Sequence, residues 1–193
     1  VEYGPEGFGI CATSCIVVVP HTKVKCISSA GRGANHKWTI WIGYGRVSDM
    51  SFATTSYEIP NIEQVISDSE DLDTRGGEFV YLEGNNFGQN IATWNGCYLQ
   101  RTVQVPEIRV FYSSANNIMY EATSCSIVVQ HTKMRCISAP GFGGKHRWKI
   151  TIEGRSSTWS KNVTSYHPPV INGIYGPGSI QGATAGNQEV YIN

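Results

Sequence analysis

Apolar and polar residues alternate along Trp148-Lys-Ile-Thr-Ile-Glu153, and more loosely from Trp38 to Ile42. A period of two is the pattern of a half-buried strand, because successive side chains of a strand point to opposite faces. Ser126-Ile-Val-Val-Gln130 and Lys133-Met-Arg-Cys-Ile137 flank a short His-Thr connection and predict a hairpin. Phe79-Val-Tyr-Leu82 is a β-branched and aromatic run closed by Gly84-Asn85-Asn86. Clusters of Gly, Pro, Ser and Asn punctuate these runs, as in a sandwich of short strands. The expected class is all-β.

Self-comparison explains the spacing. Ala12-Thr13-Ser14-Cys15 recurs as Ala122-Thr123-Ser124-Cys125, a shift of 110 residues. The same shift carries His21-Thr22-Lys23 onto His131-Thr132-Lys133, and Gly31, Gly33, His36 and Trp38 onto Gly141, Gly143, His146 and Trp148. Eighteen of the thirty-one positions from Ala12 to Ile42 are identical. One residue further along is deleted, so Thr55-Ser56-Tyr57 matches Thr164-Ser165-Tyr166. Three segments follow: 1–59 match the back of a unit, 60–167 make a whole unit, and 168–193 match the front of a further one. Val1 then falls against Phe111, and Asn193 against Glu83. Ile62, Val65, Ile66 and Leu72 suggest an amphipathic helix, but the repeat counterpart runs through Gly173, Gly176, Pro177 and Gly178. Glycine and proline interrupt helices, and homologous stretches share a fold, so both are expected to be extended.

Fifteen Lys and Arg balance fifteen Asp and Glu, and charged residues are only 16% of the 193. A neutral chain lacks the basic surface of a nucleic-acid binder and the charge of a disordered acidic tail. With 40% hydrophobic and 11% aromatic residues, it has material for a core. No apolar run approaches the roughly twenty residues of a membrane span. The chain opens Val-Glu-Tyr-Gly-Pro with no initiator Met or signal peptide, so it is expected to be a mature or internal piece of something longer.

Pro60-Asn-Ile-Glu-Gln-Val, Gly76-Gly77 ahead of Phe79-Val-Tyr-Leu-Glu-Gly-Asn-Asn-Phe-Gly88, Cys136-Ile-Ser-Ala-Pro-Gly-Phe-Gly143 and Tyr166-His-Pro-Pro169 together resemble the IPT/TIG repeat. The resemblance implies early-set immunoglobulin-like β-sandwiches in tandem, with the terminal units incomplete within the chain. Such repeats occur in plexin-type receptors, fibrocystin-like surface proteins and large extracellular proteins of algae and protists. The stretches Gly31 to Trp38 and Gly141 to Trp148 look most like the last group. Fold resemblance alone leaves function open, because sandwiches host many unrelated roles.

Six cysteines stand at 11, 15, 26, 97, 125 and 136. Cys15 and Cys26, like Cys125 and Cys136, flank the predicted hairpin. If that hairpin turns at Gln130-His131, its two cysteines lie opposite and within reach of a bridge, which typically contributes about 2–4 kcal/mol. The family resemblance implies a competing Cys97–Cys136 bridge. Cys11 and Cys97 are candidates to pair with each other or between molecules. Paired cysteines point to an oxidising, extracellular compartment. Asn162-Val163-Thr164 is a glycosylation sequon, and the Ser/Thr-rich turns are candidates for O-glycans.

Signatures of chemistry are weak. Gly141-Phe-Gly-Gly-Lys145 departs from a phosphate loop at Ala139 and His146, and Gly31-Arg-Gly lacks a βαβ context. His36 and His146 precede a Trp by two residues and are expected to hydrogen-bond the turn, while His21 and His131 are expected at hairpin tips. No zinc-ligand spacing occurs. The acidic run Asp68, Glu70, Asp71 and Asp73 lacks the calcium-loop glycine and terminal Glu. No Gly-x-Ser-x-Gly elbow is present. The expectation is no enzyme, no cofactor and no metal. Trp38 and Trp148 start strands and are expected in cores, each burying roughly 150–250 Å². Trp41, Trp94 and Trp159 are the candidates for outside contacts.

The functional expectation is a structural protein at the cell surface or outside the cell, with other copies of itself as partner, neither nucleic acid nor membrane engaged, and covalent glycans added. Residues 168–193 carry Ile171, Ile174, Val190 and Ile192 in the family's first-strand pattern, and are expected to complete residues 1–59 of the next copy by strand addition. Head-to-tail contacts of that kind build filaments unless they close into rings. A covalent array running beyond these 193 residues fits the same arithmetic. The alternatives are a ligand-binding stalk of a plexin- or fibrocystin-like ectodomain, or a carbohydrate-binding accessory module.

Overall fold

The computed structural model describes residues 1–89, 107–114 and 118–193. Strands are the only regular elements among them. Residues 1–59 carry β1 (Glu2–Gly4), β2 (Ile10–Cys11), β3 (Thr13–Val19), β4 (Lys23–Ile27), β5 (Lys37–Thr39), β6 (Trp41–Ile42) and β7 (Arg46–Val47). The middle of the chain carries β8 (Asn61–Ser67), β9 (Phe79–Asn85), β10 (Ile108–Ser113), β11 (Met119–Val129), β12 (Lys133–Ile137), β13 (His146–Ile152), β14 (Arg155–Ser156) and β15 (Val163–Thr164). A last hairpin joins β16 (Ile174–Tyr175) to β17 (Tyr191–Ile192). The stretch around Ile62 that carried a helix-like pattern is strand β8, so the interrupted repeat partner gave the better guide to its shape.

In the middle unit the strand order is β14-β13-β10-β11-β12-β9-β8, with β15 on β13. Long strand β11 makes this continuous: its first half pairs with β10, its second half with β12. The change of partner falls at a bulge between Thr123 and Ser126, where Ser124 takes a φ of 50°. A bulge inserts an unpaired residue and bends the strand. The chain thus folds back on itself, and β13 and β15 pack against β8, an arrangement consistent with a β-sandwich. Between the layers lies one core: Ile62, Leu72, Val80, Leu82, Phe87, Val110, Tyr112, Ile127, Met134, Cys136, Trp148, Ile150 and Tyr166 are all buried.

Residues 1–59 repeat five of these seven positions. β1 lies between β2 and β5 as β10 lies between β11 and β13, and the β3–β4 hairpin repeats β11–β12 down to its bulges. β6–β7 repeats the end of β13 with β14. One correction concerns the start of the repeat. Tyr3 pairs with Trp38 as Tyr112 pairs with Trp148, so Tyr3 corresponds to Tyr112, and Val1 does not correspond to Phe111. The turn between β1 and β2 is one residue shorter than the connection between β10 and β11, which accounts for the offset.

The two units touch through charged side chains. Arg32 donates from Nη1 to the Gln89 carbonyl at 2.6 Å and faces Glu153 at 3.9 Å. Arg155 donates to the Tyr57 carbonyl at 2.9 Å. Asn86 reaches back to Glu58 and the Ile59 carbonyl.

Candidate functional site

An aromatic cluster sits at the same place in both units. Tyr112 stacks on Trp148 with centroids 4.2 Å apart, and Tyr3 on Trp38 at 4.2 Å. The Tyr112 and Tyr166 hydroxyls meet at 2.6 Å, and Tyr166 donates to the Ala139 carbonyl at 2.6 Å; Tyr3, Tyr57 and Ser29 copy both distances. The indole of Trp148 donates to Thr164 Oγ1 at 3.0 Å, and that of Trp38 to Thr55 at 2.9 Å. Burial raises the pKa of Tyr166 and Tyr57 far above the ordinary phenol value, reinforced by the hydroxyl partners. His36 Nε2 sits 2.9 Å from the Arg32 carbonyl, the bond to the turn that its position implies. His146 faces the Phe142 and Thr164 backbones, and burial lowers its proton affinity.

The Gly-x-Gly turns serve this cluster. A Cβ on Gly141 would lie 2.7 Å from the Tyr166 ring, and one on Gly31 would lie 2.5 Å from the Tyr57 hydroxyl. Gly33 and Gly143 have φ values of 90° and 87°, in the region glycine adopts most readily. Both motifs therefore shape tyrosine packing. In each unit the paired tyrosine hydroxyls bond each other and a backbone carbonyl, with a buried histidine edge-on to both rings. Among the described residues no cluster of His, Cys, Asp and Glu has metal-site geometry. In the acidic loop Arg75 pairs with Asp73 at 2.6 Å and holds that carboxyl well below the usual range.

Cys15 bonds Cys26, and Cys125 bonds Cys136, each pair with Cα atoms 4.1 Å apart. Cys136 is therefore not available to Cys97. Cys11 is also disulfide-bonded. Cys97 and Trp94 lie outside the described residues. Trp148 is fully buried, but Trp38 is only partly so, a departure from its expected place in a core. Trp41 and Trp159 are exposed; Trp159 borders a shallow groove with Phe142, Lys145, Arg147 and Val163. Asn162 is exposed, whereas the Thr164 of its sequon is buried under the Trp148 indole. Thr55 does the same work without a sequon, since Ala53 stands where Asn162 does. The Trp contact thus accounts for the threonine.

The distinctive surface is the outer edge of β4. In the middle unit the equivalent edge, β12, pairs with β9 over five residues. Among the described residues β4 pairs only with β3. Inward positions register the difference: Val17 is 66% exposed against 5% for its counterpart Ile127, and Val24 is 39% exposed against 0% for Met134. Outward positions do not: Val18 and Val128 differ by little. The last hairpin has the converse surface. Ile174 pairs with Ile192 and Tyr175 with Tyr191, the register in which Val65 pairs with Leu82 and Ile66 with Tyr81. Ile171, Ile174, Val190 and Ile192 are all exposed, while Ile62, Val80 and Leu82 are buried.

No protein-family model matches the chain, and no curated protein matches it. No helix among the described residues is long and apolar enough to cross a membrane. Two disulfides are compatible with an extracellular protein.

Proposed function

We propose that this chain is a non-enzymatic, extracellular structural protein. Its units are tandem immunoglobulin-like sandwiches of IPT/TIG type, and copies join head-to-tail into a filament or surface coat. The joint is a sandwich completed between copies: the β16–β17 hairpin of one fills the place beside β4 of the next. The observation that carries this reading is complementarity within one fold. Residues 1–59 hold five strand positions of the middle unit with an apolar inner face uncovered. The last hairpin is a copy, in the same register, of the two strands that cover that face in the middle unit. Main-chain bonding along an open edge supplies affinity, and inward apolar side chains supply fit. The exposed Asn162 is proposed to carry a glycan.

Light scattering and negative-stain imaging test the reading. The full chain is expected to form polymers that lengthen with concentration, and a chain ending at residue 167 is expected to stay monomeric. A full chain that remains monomeric at high concentration overturns strand exchange. Monomers that bind glycans through Trp159 would establish the sugar-binding alternative in its place.

A further inference from the structure

Resting on that reading, we propose the register of the joint and a side-chain pair that stabilises it: Tyr191 of one copy lies opposite Lys25 of the next, and Glu189 pairs with that lysine. The middle unit supplies the template. There Lys133 pairs with Glu83, Met134 with Leu82, Arg135 with Tyr81, Cys136 with Val80 and Ile137 with Phe79. β4 corresponds to β12 at a shift of 110, and β17 corresponds to β9 at the same shift. Transferring both places Val24 opposite Ile192, Cys26 opposite Val190 and Ile27 opposite Glu189.

Each inward position then receives an apolar partner. Val24 and Ile192 take the places of Met134 and Leu82, both fully buried in the middle unit. A slip of one residue would turn Ile192 and Val190 to solvent and Tyr191 to the core, because side chains alternate along a strand. The apolar pattern thus fixes which face is inward, but slips by two residues keep it.

Charge removes one slip by two, and the inward side chains remove the other. On the outer face of the middle unit Lys133 bonds Glu83 at 2.8 Å and lies over the Tyr81 ring at 5.0 Å, while Arg135 lies over Phe79 at 4.7 Å. The counterparts are Lys23, Asn193, Tyr191, Lys25 and Glu189. Lys23 keeps its tyrosine, Tyr191. Lys25 stands where Arg135 does, and the ring beneath it has become the carboxylate of Glu189. A cation over an aromatic face is replaced by an ion pair at the same diagonal. Both side chains are exposed and available, and Tyr191 Oη already donates to Glu189. A slip by two in one direction leaves Glu189 beyond the end of β4; in the other it sets Glu189 opposite Lys25 and Tyr191 opposite Lys23, but it carries Ile192 to Thr22 in the turn and turns polar Gln188 inward against Cys26.

The test uses the full chain with its disulfides intact. Lys25→Glu alone and Glu189→Lys alone each place like charges together. Each is expected to raise the concentration needed for polymerisation by about three- to tenfold, the scale of partly screened charge contacts. An equimolar mixture of the two variants polymerises through alternating joints, every one of which pairs opposite charges. It is expected to return close to the wild-type threshold. If wild type polymerises and the single variants do so at its threshold, the register is overturned while strand exchange stands. Failure of the mixture to recover overturns the register as well, since the loss would then not come from this pair. If wild type itself never polymerises, both fall. Far-ultraviolet circular dichroism of the monomers confirms that the variants fold.

Discussion

Residues 1–59 and the middle unit repeat one sequence under two different covers. Five local features are the same in both: the bulged hairpin with a histidine at its turn, the disulfide across it, the Tyr–Trp stack, the tyrosine pair and the indole bond to threonine. What differs is burial on one face. Trp148 and Met134 are sealed, while Trp38 and Val24 are not. Hairpin register, disulfide and aromatic cluster are thus set by contacts within about sixty residues. The sealed core needs a further hairpin laid against β12 or β4. Under the proposed function, a unit without that hairpin is a formed half whose exposed apolar face and edge favour association.

The largest expected effect separates the two tryptophans. Trp148→Ala removes a fully buried indole and its bond to Thr164, and is expected to cost about 3–5 kcal/mol. Trp38→Ala, at a partly exposed copy of the site, is expected to cost less than half as much. Urea denaturation gives the totals, and hydrogen exchange at β13 and β5 assigns each loss to its unit. Equal costs would mean that residues 1–59 are as well sealed in solution as the middle unit.

The disulfides give the next effect. Replacing Cys125 and Cys136 together with Ala is expected to destabilise the middle unit by about 2–4 kcal/mol. There β12 keeps its ladder to β9, so the unit still unfolds as one. Replacing Cys15 and Cys26 is expected to free β4, which has β3 as its strand partner, so exchange at the Lys23–Ile27 amides accelerates while the rest of the chain is unaffected. Unchanged exchange there would show that the ladder alone holds the hairpin.

Much of this was legible in the sequence because the repeat doubled each signal. The hairpin, the facing positions of its cysteines and the histidine bonds to the turn followed from spacing, whereas the pairing stayed open between Cys125–Cys136 and Cys97–Cys136 until the structure showed the former. The extended shape of β8 came from comparing it with a copy too rich in glycine for a helix. The tyrosine network was not foreseen, although Thr-Ser-Tyr occurs twice, because a bond between residues 54 apart leaves no trace in local periodicity. Arg32 was missed for another reason. It breaks the repeat, standing where Phe142 stands, and its role depends on Gln89 and Glu153 of the neighbouring unit. In the sequon, the packing role of Thr164 under the Trp148 indole was likewise invisible to local sequence.

The smallest effect concerns the two histidines. Both are buried, and burial lowers their proton affinity from the ordinary 6.5. The folded chain thus binds fewer protons than the unfolded chain below that pH. Their contribution to stability is complete above 6.5 and is lost as the pH falls through the folded values. The buried tyrosines act at the other end. Raised above 10, Tyr166, Tyr57 and Tyr112 contribute fully below that pH and lose their contribution as the pH climbs through the folded values. The histidines differ in one neighbour. Glu153 of the middle unit pulls the His36 value upward, against desolvation, beside Arg32 and the Tyr3 and Tyr57 rings. Among the described residues no carboxylate acts on His146; its opposing pull comes from backbone bonds to Thr164 and Phe142. Glu153→Gln is therefore expected to lower the titration of His36 further and leave His146 in place, at a stability cost under about 1 kcal/mol. Proton NMR of the two imidazoles checks it. A shift at both, or at neither, would mean that the two units do not meet through Arg32 and Glu153 in solution.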